Sequence, residues 1–128
     1  MSTELTVRSA QSGDAQAWLT LWRGYCAALD GAVSDEVTGE VWQRILASDE
    51  PIWCLLACRG AGKPVGFANY ILLRPVCYLE DLFVVPEARG CGAGRALIEA
   101  LVALGKTGGL ATHLLAHTRT QLPRPHPL

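Results

Sequence analysis

The feature that most constrains this chain is a strand that runs into a glycine loop and then at once into a helix. Residues 76–85 form an apolar, strand-length run closed by Pro86. Arg89-Gly90-Cys91-Gly92-Ala93-Gly94-Arg95 follows, and from Gly94 onward Leu97, Ile98, Leu101, Val102 and Leu104 recur at helical spacing. Such a loop brings backbone N–H groups close to a phosphate, and the helix N-terminus adds a favourable dipole. Arg89 and Arg95 bracket the turn with positive charge suited to a pyrophosphate. Two known phosphate-binding patterns do not fit. A dinucleotide fingerprint needs G-x-G-x-x-G and an acidic residue about 20 positions further on. Here the glycines run G-x-G-x-G, and no Asp or Glu follows Glu99. Gly105-Lys106-Thr107 looks like the end of a nucleotide-triphosphate loop, but that motif's first glycine would fall at Ala100, inside a helix.

The rest of the chain supplies the layers around this unit. Residues 5–7 read as a short strand. Asp14 is a candidate N-cap for a helix carrying Ala15, Trp18, Leu19, Trp22 and Cys26, which ends near Gly31. A second helix is expected over residues 38–47, with Val41, Trp42, Ile45 and Leu46 on one side. Aromatic residues at this spacing are usually core, so Trp18, Trp22 and Trp42 are read as core rather than as a ligand pocket. Ile52–Arg59 is an apolar strand after Pro51, Gly60-Ala61-Gly62-Lys63 a hairpin loop, and residues 65–73 the returning strand. The order strand, helix, helix, three strands, helix implies an α/β fold. Its sheet is an antiparallel meander that becomes mixed at its last strands.

Composition bounds the function. A chain of 128 residues is one domain's worth, and 50% apolar with 18% charged residues excludes intrinsic disorder. A net charge of −1 gives no electrostatic footprint for nucleic acid or a membrane surface. No apolar run approaches a bilayer span and no signal peptide is evident, so the chain reads as cytoplasmic. The five cysteines include no C-x-x-C pair and read as reduced thiols, with Cys54 and Cys58 on one strand face. His113 and His117 have helical ligand spacing but no third ligand, so no metal is expected.

Arg89-Gly90-Cys91-Gly92-Ala93-Gly94 resembles the R/Q-x-x-G-x-G/A loop of the GNAT acetyltransferase superfamily, and Leu82-Phe83-Val84-Val85-Pro86 is similar to that family's cofactor-binding strand. In element order the resemblance spans residues 5–104; its specific part is residues 78–98. It implies the GNAT fold, with a mostly antiparallel central sheet flanked by helices, and acetyl-CoA as acetyl donor. By resemblance, the backbone of Leu82, Phe83 and Val84 pairs with the pantetheine arm. Arg89, Gly90, Cys91, Gly92, Ala93, Gly94 and Arg95 would hold the pyrophosphate. Tyr78-Leu79-Glu80-Asp81 is similar to the matching strand of diamine and polyamine acetyltransferases.

The chemistry of the residues agrees. An alkyl ammonium has a pKa of about 10 and must lose a proton before it attacks a thioester. Glu80 and Asp81 are the charges of the 76–85 strand, and either is a candidate catalytic carboxylate or half of a structural ion pair. Neighbouring strand residues face opposite ways, so at most one of them is expected in a given cleft. Beside an apolar wall a carboxylate becomes a better base. The resemblance favours Glu80, with the oxyanion met by a backbone N–H in residues 82–84. Cys91 has no activating histidine nearby in sequence, since all three lie in the tail, so direct attack is expected rather than an acyl-cysteine.

The chain departs from the family after this helix. GNAT domains continue with a strand, a helix often bearing N-x-x-A-x-x-L/F-Y, and closing strands. Residues 1–108 thus read as the acetyl-CoA-binding domain and residues 109–128 as a basic, Pro-rich tail, with the last helix and strands missing. Codons for residues 110–128 read one nucleotide later permit a strand and an N-x-x-A-x-x-L-Y helix, which points to a frameshift near residues 105–109. A non-catalytic acetyl-CoA-binding remnant is therefore the alternative to an active N-acetyltransferase. An exposed last strand would also suit pairing with a second copy. The acceptor is expected to be a small-molecule amine of unspecified type.

Overall fold

The computed structural model describes residues 4–29, 31, 33–47, 49–60, 62–73, 76–107 and 111–113. The elements are β1 (Leu5–Ser9), α1 (Ala15–Ala28), α2 (Asp35–Leu46), β2 (Ile52–Arg59), β3 (Lys63–Leu73), β4 (Val76–Val84), α3 (Ala93–Thr107) and β5 (Ala111–His113). Single 3₁₀ turns at Ser12–Asp14 and Pro86–Ala88 lead into α1 and α3. The five strands lie in the order β1-β2-β3-β4-β5. The first four form an antiparallel meander, and β5 runs parallel to β4 beside Val76, Cys77 and Tyr78. β5 falls within the tail, a segment with no expected strand. Residues 114–128 lie outside the described residues.

Strand alternation divides the core into two halves. Cys54, Leu56, Cys58, Phe67 and Phe83 face α1 and α2, where they meet Trp18, Leu21, Trp22, Tyr25 and Ile45. Leu55, Ala57, Ala68, Tyr70, Cys77 and Leu79 face α3 and meet Ala93, Leu97 and Leu101. The sheet is thus covered on both faces, and Cys54 and Cys58 share one face as the alternation requires. The tryptophans of α1 and α2 stack at the first of these interfaces, with Trp18 ring centroids 5.2 Å from Trp22 and 5.0 Å from Trp42. Trp22 Nε1 also donates to Thr38 Oγ1 (3.0 Å), which ties α1 to α2.

One helix start and one cap differ from expectation, while α1 does begin at Ala15 with Asp14 in the N-cap position. α2 begins at Asp35, because Ser34 Oγ accepts from the Val37 N–H (3.1 Å) and Asp35 and Glu36 occupy the first turn. Its apolar periodicity only becomes visible several residues later. Asp14 precedes α1 but makes no side-chain cap to it. Its carboxylate instead accepts two hydrogen bonds from the Arg8 guanidinium and one from the Gln11 N–H, each 2.8 Å. The Gly105–Thr107 segment continues α3 and forms no loop.

The Arg8 hydrogen bonds hold the Asp14 carboxyl below its ordinary 3.8; burial opposes them and the Gln11 N–H assists. A depressed carboxyl stabilises the fold fully above its unfolded-state value and loses that contribution as pH falls through its folded-state value. Arg8→Ala should therefore cost about 1 kcal/mol at neutral pH. Urea unfolding repeated in acid should show the gap between variant and wild type closing.

Candidate functional site

Two clefts open along β4. The first is a groove of about 500 Å³ lined by Leu82, Phe83, Val84, Ala88, Arg89, Gly90, Gly92, Ala93, Gly94 and Arg95. Pro86 starts the turn that leaves β4, and Gly90 (φ 88°) and Gly92 (φ 93°) take left-handed conformations that bend the chain into α3. Ala96 N–H donates to Gly92 O (2.9 Å). The amides of the first helical turn before it have no acceptor within the helix and border the groove. Arg89 folds back over the strand end: its Nε donates to Val84 O (2.9 Å), and its guanidinium carbon lies 5.5 Å from the Phe83 ring centroid. Arg95 stands exposed on α3, with Nε donating to Glu99 (3.1 Å). β5 pairs with β4 only at Val76, Cys77 and Tyr78. Among the described residues no strand continues that edge beside Leu82, Phe83 and Val84, which border the groove instead.

Every cofactor-binding residue expected from the sequence lines this groove except Cys91. Held between the two left-handed glycines, Cys91 packs its side chain on the α3-face core cluster. A hydrogen bond from Arg59 pulls its thiol below the ordinary 9.0, against a smaller opposing effect of burial. Burial raises the thiols of Cys54 and Cys77, and pushes Cys26 up to about 11. Thiolate is the reactive form. Iodoacetamide should therefore label Cys91 before Cys26, Cys54 and Cys77, and Arg59→Ala should slow that labelling several-fold, as read by peptide mass spectrometry.

The second cleft, about 520 Å³, lies between α1, α2 and the sheet. Trp22, Tyr25, Cys26 and Leu29 come from α1 and its end, Val37, Glu40, Val41 and Arg44 from α2, Ile52 and Ile71 from the sheet, and Glu80 and Asp81 from β4. The expectation that only one of the two carboxylates could enter a cleft is wrong, and a β-bulge is the reason. Asn69 pairs with Asp81 and Tyr70 with Leu79, so Glu80 is an extra residue in β4. The bulge suspends alternation for one step, and both carboxylates border the same cleft.

Their surroundings differ. Asp81 is 5% exposed; its Oδ1 accepts from Tyr25 Oη (2.7 Å) and its Oδ2 from Asn69 Nδ2 (3.3 Å). Glu80 is half-buried on the bulge. The tryptophan stripe is core as expected, although Trp22 also walls the cleft. Sequence reasoning misses Tyr25 and Asn69. Tyr25 lies three positions after Trp22 on the same helix face, which is the signal that places it.

The sequence pattern of the Acetyltransferase (GNAT) family matches residues 16–125. The chain belongs to the GNAT family. A D-amino-acid N-acetyltransferase of Saccharomyces cerevisiae is 29% identical over 106 residues, covering 77% of this chain and 66% of that protein. An aminoglycoside N(6')-acetyltransferase type 1 of Stenotrophomonas maltophilia is 32% identical over 113 residues, covering 81% of this chain and 69% of that one. The chain thus spans about two thirds of the length of these relatives.

Solved structures agree on the fold. A GCN5-related N-acetyltransferase from Kribbella flavida superposes with a TM-score of 0.69 at 28% identity, over 83% of this chain and 67% of that one. AAC(6')-Iy in complex with a bisubstrate analog, CoA-S-monomethyl-acetylneamine, superposes at 0.73 and 21% identity, over 88% and 80% of the two chains. Among the described residues, no helix of this GNAT chain is long and apolar enough to cross a membrane. Nor do those residues include a group of three or more His, Cys, Asp or Glu able to hold a metal ion. His113 lies on β5, so the helical spacing supposed for it and His117 does not hold there; His117 is outside the described residues.

Proposed function

We propose that this GNAT chain binds acetyl-CoA in the groove and transfers the acetyl group to a primary amine held in the second cleft. The observation that carries this reading is that the two clefts meet on one strand. The amine cleft ends at Asp81 and the groove begins at Leu82. The residues fit the donor's chemistry. Positive charge at Arg89 and Arg95 and the open amides at the start of α3 suit a pyrophosphate, and the edge of β4 at Leu82, Phe83 and Val84 suits the amides of a pantetheine arm.

Bound acetyl-CoA supplies an activated acetyl thioester. Glu80, directly or through a water, takes the first proton from the ammonium and leaves the nitrogen lone pair free to attack. A β4 backbone N–H near residue 82 meets the charge that develops on the thioester oxygen. The C–N bond forms, the C–S bond breaks, and the nitrogen gives up a second proton. The departing thiolate takes up one, so one proton is released overall.

Titration calorimetry with acetyl-CoA, followed by thiol release with an amine panel, tests the reading. One-to-one saturable binding and amine-dependent thiol are expected. Absence of binding would overturn the proposal, and binding without thiol release would reduce the chain to an acetyl-CoA-binding protein.

A further inference from the structure

We infer that the acceptor is a primary monoamine carried on an apolar body, without a carboxylate. This inference rests on the acetyl-transfer reading above and narrows it to a substrate class. The inner end of the cleft is acidic, whereas its walls are mostly apolar. Away from β4 they carry Trp22, Leu29, Val33, Val37, Val41 and Ile71, with Glu40 and Arg44 of α2 as their charged members. Val33 and Val37 on the cleft's rim remain 40% and 47% exposed. Apolar side chains rimming a cleft that ends in a few polar groups are the makings of a site for a mostly apolar ligand.

Charge narrows the class from both directions. Among the described residues the lining carries three carboxylates, Glu40, Glu80 and Asp81, against one guanidinium, Arg44. That guanidinium is partly engaged, since Arg44 Nε donates to Glu50 (3.1 Å). An amino acid's carboxylate would face three carboxylates and a single guanidinium already shared with Glu50. Polycations meet a different obstacle. Asp81 already accepts from Tyr25 and Asn69, Glu80 serves the reacting nitrogen, and the lining leaves a second or third ammonium one remaining carboxylate, the exposed and solvent-screened Glu40. Stripping water from those extra charges is costly, whereas an alkyl or aryl body gains from the same surface.

The test compares kcat/KM in the acetyl-CoA thiol-release assay for 2-phenylethylamine, phenylalanine, spermidine and kanamycin. We expect 2-phenylethylamine to exceed each of the others by at least about tenfold. Val37→Asn, at an exposed position, should raise KM for 2-phenylethylamine about fivefold with kcat little changed, because it removes apolar contact without adding a charge or touching the carboxylates on β4. If spermidine, kanamycin or phenylalanine is used as well as 2-phenylethylamine, the inference is overturned while acetyl transfer itself stands. A KM unmoved by Val37→Asn would likewise take the amine body away from this wall. Thiol release with none of the four would overturn the inference, and acetyl-CoA binding measured beside it would separate this from failure of the donor-binding half of the transfer reading.

Discussion

Glu80→Gln is expected to lower kcat for amine acetylation by about two to four orders of magnitude, with acetyl-CoA affinity changed less than about twofold. The substitution keeps the size of the side chain and its place on the bulge, and removes its negative charge together with its capacity to take a proton at neutral pH. Glu80 lines the amine cleft and is absent from the groove, so donor binding has no reason to change. Loss of its negative charge should also raise KM for the ammonium, but by much less than kcat falls. Since Glu80 is half-buried on a strand otherwise fixed by β3, the melting temperature should stay close to wild type. Steady-state kinetics at saturating acetyl-CoA, beside calorimetry of the same variant, separates these effects. A fall in kcat below about tenfold would show that another group, or bulk solvent, takes the proton.

How much of this site can be read from the sequence depends on how local its causes are. Pro51 and the Gly60 turn punctuate β2, so Ile52–Arg59 is legible residue for residue. The groove is legible because its lining comes almost entirely from one contiguous stretch that begins at Leu82. The amine cleft is not. Nothing in Tyr78-Leu79-Glu80-Asp81-Leu82 marks where an extra residue enters the strand; that is set by register against β3, which ends with Asn69 opposite Asp81. Tyr25 reaches Asp81 across 56 positions of sequence. Asp14 looks like a cap by residue type and finds Arg8 instead, across the turn between β1 and α1. Cys91 leaves the groove because Gly90 and Gly92 bend the loop and because Arg59, from the end of β2, meets its thiol. In each case the deciding partner lies on another element.

The same non-local network makes Asp81 a polar residue whose loss should cost the fold heavily. Asp81→Ala would leave the Tyr25 hydroxyl and the Asn69 amide, on residues 3% and 0% exposed, without their acceptor. Each abandoned buried donor costs about 1–3 kcal/mol, so we expect about 2–4 kcal/mol in urea unfolding. Against a total of about 5–15 kcal/mol for a domain this is a severe loss. Asp81→Asn should cost far less. Its side-chain oxygen can still accept from Tyr25, and Asn69 can turn its amide over to present an oxygen to the new amide donor. Tyr25→Phe removes one partner and leaves the other, and should fall between them. A cost for Asp81→Ala within about 1 kcal/mol of wild type would show that water replaces the lost acceptor and that the network is not what holds this strand. The expected order of loss runs from Asp81→Ala through Tyr25→Phe to Asp81→Asn, and the last of these also bears on chemistry. Asp81 adjoins the bulge that places Glu80, so Asp81→Asn should retain turnover that Glu80→Gln does not. Two neighbouring carboxylates that look alike in sequence are thus expected to separate cleanly, one in kcat and the other in stability.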